Sequence, residues 1–236
     1  MNWQERTNLL LGEENVNKLK QANILVVGLG GVGAYAAEQL CRAGVGKLTI
    51  VDGDEIEESN INRQLPALVS TIGKSKTEIL AARFMDINPE LDLTIIHDYI
   101  DGDKTLELIK SQPFDYVVDA IDTMAPKVFL IYHAMQQGLK IVSSMGAGGK
   151  TDPTKVEIVD ISKSYNCKLA KLIRKRLSKF GIKKGFKVVF SPEEISKKAV
   201  RAEEGQNKKS TVGTISYMPP IFGCFISSVV IRDLTL

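Results

Sequence analysis

Gly28, Gly30 and Gly33 stand in GLGGVG at G-x-G-x-x-G spacing, between the apolar run NILVV and the helical pattern AYAAEQLCRAG. In that strand-to-helix context the glycines allow a tight turn and let a phosphate approach the backbone, where helix-start N–H groups favour negative charge. Asp52 ends the next apolar run, KLTIV, where a carboxylate can accept from ribose hydroxyls. These two features alone suggest a nicotinamide or flavin oxidoreductase. Asn60 and Arg63 in the loop VDGDEIEESNINRQ, Lys76 in the next segment and Asp122 after FDYVVDA shift that reading. A dinucleotide's pyrophosphate is already held by the glycine turn and leaves an added arginine, lysine and carboxylate without a task. A triphosphate uses them: the cations neutralise charge at the phosphorus under attack, and the carboxylate holds Mg²⁺. Taken singly, Arg63 and Lys76 would be ordinary solvated cations. Asn62 and Gln64 read as braces of the turn, and the acids from Asp54 to Glu58 as solvated.

The elements that must position these residues alternate. Residues 13 to 21 read as a short helix leading into NILVV. KLTIV, LTIIH, FDYVVDA and KIVSS read as strands, separated by helices over GKSKTEILAARFMDIN, around TLELIK and over KVFLIYHAMQQG. Strand and helix at this spacing predict an α/β fold, a Rossmann-like doubly wound and mostly parallel sheet with helices on both faces. Sites then collect at the carboxyl ends of the strands. After Ser144 the style changes, to a Gly-rich loop, the strand-like VEIVD, a basic helix and GFKVVFS, which together predict a mixed or antiparallel extension. SPEEISKKAVRAEEGQNKKSTVG reads as a mobile or partner-ordered loop that takes in residues 200–212, and MPPIFGCFISSVVIRDL as a closing helix on the core.

The chain has 236 residues, 44% of them apolar, enough to bury a sizeable core. The expected organisation is a single domain over 1–236, with a nucleotide-binding core over 1–160 and a basic helix, loop and closing helix over 161–236. No run approaches the roughly 20 apolar residues of a membrane span, and no signal peptide is visible. Cys41, Cys167 and Cys224 lie far apart without a CxxC pair, which predicts reduced thiols, a cytoplasmic setting and no zinc ribbon. Cys41 and Cys224 read as core, and Cys167 as the most accessible. His97 and His133, the only two histidines, read as structural.

Net charge is only +3, yet ten Lys or Arg and no acid lie between Asp160 and Glu193. Leu169, Leu172, Ile173, Leu177 and Phe180 fall at helical spacing, with Lys168, Lys171, Lys175 and Lys179 on another side. One reading is a solvated amphipathic helix. The other, favoured in an otherwise acidic chain, is a surface that neutralises RNA phosphates through Lys168, Lys171, Arg174, Lys175 and Lys179. Tyr165 and Phe186 are base-stacking candidates by position only.

GLGGVG, DGDEIEESNINRQ, GKSKTE and DAIDT together resemble the adenylating superfamily of ubiquitin-activating-type enzymes and their relatives in molybdopterin and thiamin synthesis. RTNLLLGEE, GAGGKTDPT and NCKLAKLIRKRL are more similar to one branch, the tRNA threonylcarbamoyladenosine dehydratases. The match runs over nearly the whole chain, tight to residue 160 and looser from Lys183 to Gly213. The resemblance implies ATP and Mg²⁺ as cofactors, Gly31 and its neighbours on the phosphates, and Asp52 on the ribose, with Asp54 counted in the same set. It implies Asn60 and Arg63 on the triphosphate, Lys76 near the α-phosphate, Asp122 on the metal, and Arg6 reaching into a partner subunit of a homodimer. The implied reaction adenylates the threonyl carboxylate of the modified adenosine beside the anticodon of tRNA, after which ring closure expels AMP. The alternative is adenylation of the C-terminus of a ubiquitin-like sulfur carrier, with a sulfurtransferase or carrier protein as partner. Missing CxxC pairs, and the absence of a cysteine set for a thioester relay, favour the first.

Overall fold

The computed structural model describes residues 3–202 and 210–236. In chain order the elements are α1 (Glu5–Leu11), α2 (Glu13–Gln21), β1 (Asn23–Val27), α3 (Gly33–Arg42), β2 (Lys47–Val51), α4 (Lys76–Ile87), β3 (Asp92–Ile96), α5 (Gly102–Lys110) and β4 (Tyr116–Asp119). They continue as α6 (Met124–Gln136), β5 (Lys140–Ser144), β6 (Glu157–Asp160), α7 (Lys168–Leu177), β7 (Lys187–Phe190), β8 (Val200–Ala202), β9 (Ser210–Val212) and α8 (Met218–Thr235).

Seven strands pair in the order β3-β2-β1-β4-β5-β7-β6. All pairs are parallel except β6 with β7. The expected doubly wound sheet with an antiparallel extension is what forms. Val26, Ile50, Val118 and Val142 are fully buried because helices cover both faces of the central strands, and such strands read as unbroken apolar runs. One face packs on Leu19, Leu40, Phe84 and Phe222, the other on Leu108, Leu130, Ile131 and Ile173. Strand order reverses between β1 and β4, so the loops leaving those strands part and open a crevice at their carboxyl ends.

α8 is apolar and long enough, by length and composition, to cross a bilayer, but half of it is buried in the fold. Met218, Phe222, Ile226 and Val230 are fully buried there. Gly223 explains how closely α8 approaches α3: a Cβ at that position would stand 2.6 Å from the Val32 carbonyl oxygen. α1 is an element the sequence reading did not include. Within SPEEISKKAVRAEEGQNKKSTVG, β8 and β9 pair as antiparallel arms, so those parts are ordered strands rather than open loop; residues 203–209 lie outside the described residues.

The cysteines reverse two expectations. Cys41 is fully buried as expected, and burial pushes its thiol up to about 11. Cys224 lies in the apolar helix but is exposed. Cys167 is buried, since the chain before α7 folds back against the sheet. Phe186 is also core, packed with Val188 and Phe190, and offers no ring to a base. His97 Nδ1 lies 3.1 Å from Ser75 Oγ, and His133 stacks with Phe129, ring centroids 6.1 Å apart; both are structural contacts.

Candidate active site

The glycine turn joins β1 to α3. Gly28 has φ of 90°, and a Cβ there would lie 2.7 Å from the Ala120 carbonyl oxygen; on Gly33 it would lie 1.7 Å from the Gly28 carbonyl oxygen. These two glycines close the turn. Gly31 packs under Pro219, 2.9 Å from where its Cβ would be. Gly30 alone opens outward, with the Gln64 amide nitrogen, 3.9 Å from an added Cβ, as its nearest neighbour. Among the described residues no side chain caps the start of α3, where Ala34 N donates to Gly30 O at 3.2 Å and the positive end of the helix dipole lies beside the glycine turn.

Asp52 ends β2 and ties two loops together. Its Oδ2 accepts from Leu29 N at 2.5 Å and its Oδ1 from Asp54 N at 2.8 Å. Burial holds this carboxyl above the usual carboxylate range, against the pull of Lys76 and of those two N–H groups. A carboxylate offers about four acceptor positions, so two remain for a ligand's hydroxyls.

Ser75 Oγ accepts from Glu78 N and starts α4, which puts Lys76 in its first turn. Lys76 is buried, and its Nζ donates to Asp54 Oδ2 at 2.7 Å. Asp54 also accepts from the Tyr99 hydroxyl at 2.9 Å, so it is no solvated bystander: it aims the lysine. Arg63 is half-buried and donates from Nη1 to Ser59 O at 2.8 Å and to Asn62 Oδ1 at 2.7 Å.

The amides of the loop divide differently from expectation. Asn60 is buried, and its Oδ1 accepts from Glu57 N at 3.2 Å, so it braces the turn. Asn62 holds Arg63 and reaches across to Thr214 O at 3.0 Å. Gln64 is buried beside Gly30, and its Oε1 has no hydrogen-bond partner among the described residues. A buried amide lacking a partner is costly, so this group has a place for a ligand atom that the turn alone does not supply. Sequence reasoning gave it only a bracing role.

Asp122 is exposed in the loop after β4. Among the described residues no three His, Cys, Asp or Glu side chains gather as a metal site. An exposed carboxylate directly after the Ala120–Ile121 peptide that floors the glycine turn has the chemistry to suit Mg²⁺, which takes most of its ligands from phosphate and water. Sequence reasoning also missed Asp119 and Lys127, a fully buried ion pair with Nζ and Oδ2 2.8 Å apart just beneath this loop. Its only sequence signal was the first aspartate of DAIDT; Lys127 looked like any helix-surface cation.

Arg6 is not brought to this crevice. It is exposed on α1, and Gln4 two residues earlier packs against Gly44, where the chain enters β2 at the opposite edge of the sheet. On α7, Lys168, Lys171 and Lys175 are exposed, as is Lys179 just beyond it. Arg174 is different: it turns inward and donates to Ser164 O at 2.8 Å and to Ser164 Oγ, a structural brace rather than an open cation. Tyr165 stacks edge-on with Phe190 at the carboxyl end of β7, which puts the start of α7 at the same sheet edge as the crevice.

The comparisons with known proteins cover this whole arrangement. The tRNA threonylcarbamoyladenosine dehydratase of Bacillus subtilis is 38% identical over 237 residues, spanning 97% of this chain and 93% of that protein. The crystal structure of E. coli tRNA N6-threonylcarbamoyladenosine dehydratase in complex with ATP superposes with a TM-score of 0.88 at 34% identity, covering 98% of this chain and 94% of that one. An adenylyltransferase and sulfurtransferase of Drosophila virilis is 37% identical over 113 residues, only 48% of this chain and 25% of that protein. The ThiF family model matches residues 4–235, and the chain belongs to the ThiF family.

Proposed function

We propose that this chain is an ATP-dependent dehydratase that cyclises threonylcarbamoyladenosine in tRNA through an adenylated carboxylate. The observation that carries the reading is the pairing of an open glycine turn at Gly30 with the buried, aimed cation of Lys76 in one crevice. It is supported by likeness to a Bacillus subtilis dehydratase over 93% of that protein's length.

In this reading the first N–H groups of α3 and the backbone at Gly30 cradle phosphate, and Asp52 accepts from the ribose hydroxyls. Lys76 and Arg63 face the α- and β-phosphates. The threonyl carboxylate oxygen attacks the α-phosphorus, the bond to the β-phosphate oxygen breaks, and pyrophosphate leaves. Fixed cations stabilise the charge that develops in that step because they are already aimed before it occurs. Asp122 would hold Mg²⁺, which supplies charge neutralisation between the phosphates. An atom of the same modified base then attacks the acyl carbon and AMP departs, so the base loses one water overall. Both reacting groups belong to one nucleoside, so proximity replaces a protein nucleophile.

The chain works as a single adenylating domain and, in this proposal, as a cytoplasmic homodimer, with Arg6 of each copy completing the other's site. Exposed Leu9 and Leu10 beside Arg6 on α1 support a covered surface there. The lysines of α7, starting at the crevice edge, receive the tRNA backbone. The deciding experiment incubates tRNA carrying threonylcarbamoyladenosine with the protein, ATP and Mg²⁺ and weighs the nucleosides. Loss of one water with AMP formed is expected; an unchanged mass sinks the proposal. Pyrophosphate exchange that depends on a protein ending in Gly-Gly would point instead to the sulfur-carrier alternative.

A further inference from the structure

The side-chain cluster that the proposed chemistry leaves unused is the ion pair at the end of β4. Asp119 and Lys127 are both fully buried, their Oδ2 and Nζ 2.8 Å apart. Ser143, on the neighbouring strand β5, donates to the same Oδ2 at 2.5 Å. The free ends of the pair both address one residue. Asp119 Oδ1 accepts from Ile121 N at 3.1 Å, and Lys127 Nζ donates to Ile121 O at 3.0 Å.

Each anchor lies in a regular element of the fold. Asp119 lies opposite Val27 on one side and Ser143 on the other, in the middle of the sheet. Lys127 lies in the first turn of α6. The clamped Ile121 immediately precedes Asp122. The Ala120–Ile121 peptide also forms the floor of the glycine turn, within 3.0 Å of where a Gly28 Cβ would stand. One buried pair therefore sets two parts of the crevice.

Stability alone does not account for it. Removing two charges from water costs several kcal/mol per ion, and apolar residues of similar volume commonly replace a buried pair without loss of stability. What an apolar pair cannot do is hold a backbone N–H and a backbone C=O at the same residue in fixed directions.

We propose that Asp119 and Lys127 are positioning residues that act through Ile121, fixing where the Asp122 carboxylate enters the crevice. This rests on the assignment of the crevice as a nucleotide site. The test uses the full chain and three variants: Asp122→Ala, the charge-neutral double variant Asp119→Asn/Lys127→Met, and Ser143→Ala. Calorimetry of ATP binding at increasing Mg²⁺ gives the metal concentration for half-maximal tightening, a readout that mere destabilisation does not move. The double variant should keep its melting temperature within about 5 °C of wild type, because the pair is removed whole. Its half-saturating Mg²⁺ should rise about tenfold, as in Asp122→Ala, the usual scale for losing a group that orients a metal ligand. Ser143→Ala, which removes one bond from Asp119, should give a smaller rise in the same direction. A double variant with wild-type Mg²⁺ dependence, beside an Asp122→Ala that shifts it, overturns the proposal. Should the double variant not fold, an unshifted Ser143→Ala overturns it instead. Wild-type protein whose ATP binding ignores Mg²⁺, with Asp122→Ala equally silent, would overturn the crevice assignment itself, and the proposal with it.

Discussion

Lys76 Nζ lies 2.7 Å from Asp54 Oδ2, the lysine buried and the aspartate half-exposed above it. A charge-assisted bond of that length fixes the direction of a side chain that otherwise has four rotatable bonds. Lys76→Met should leave the fold intact and lower AMP formation about 10²- to 10³-fold, the scale of losing one preorganised group at a developing charge. Asp54→Asn keeps the lysine but loosens its aim and should cost about tenfold. Steady-state AMP release with the modified tRNA measures both. Equal losses in the two variants would mean Asp54 does more than aim.

Arg63 is held by Ser59 O and Asn62 Oδ1, and Asn62 in turn reaches Thr214. Arg63→Ala should abolish detectable AMP formation while the circular dichroism spectrum is unchanged. Asn62→Ala should raise KM for ATP several-fold and leave kcat nearer wild type, since the guanidinium remains but is no longer steered.

Arg6 stands at the sheet edge opposite its own crevice. If it serves a neighbouring subunit, Arg6→Ala and Arg63→Ala will each be inactive alone. Mixing the two should restore activity in the fraction of dimers holding one wild-type site. Mixtures that stay as inactive as their parents would remove Arg6 from the mechanism.

The lysines of α7 and Arg174 should separate cleanly. Changing Lys168, Lys171 and Lys175 together to Ala should weaken tRNA binding and flatten its dependence on salt by about two to three units of log–log slope. ATP binding should not change. Arg174→Ala should act on stability, because it strips the hydrogen bonds to Ser164 and Ile161. Loss of about 1 to 3 kcal/mol is expected from thermal or denaturant unfolding.

Asp52 has its carboxyl raised above the ordinary 3.8 by burial. Its folded value therefore exceeds its unfolded one, so its contribution to stability is full below the unfolded value and is lost as pH rises through the folded value. A ribose hydroxyl donates to the charged form, so nucleotide binding should expel a proton in that window. ATP affinity should fall on acidification, starting from a higher pH than for an ordinary aspartate. Calorimetry over the acidic range just above that ordinary value, in buffers of different ionisation heat, reads the proton directly. Asp52→Asn should show no such release.

How much of this was legible beforehand follows from the kind of information each feature uses. The glycine turn, Asp52 and the strand–helix alternation are local: a G-x-G-x-x-G between a strand and a helix has few backbone solutions, and Gly33 has no room for a Cβ. Lys76 and Arg63 were legible as candidates because parallel topology sends both loops to one edge. Their bonding was not, since it depends on Tyr99 and Thr214, distant in sequence.

The sequence by itself determined the sheet order's general kind, the crevice and the identity of the cations near it. Tertiary structure alone decided which residues of a helix are covered. Periodicity reports the faces of a single helix, but burial depends on what packs against each face. That is why Cys167 is buried and Cys224 exposed, against their neighbours' polarity. It is also why Arg174 turns inward among solvated lysines. Lys127 is the clearest case: nothing in its local sequence marks a buried charge, and only the arrival of Asp119 and Ile121 beside it makes that burial tolerable.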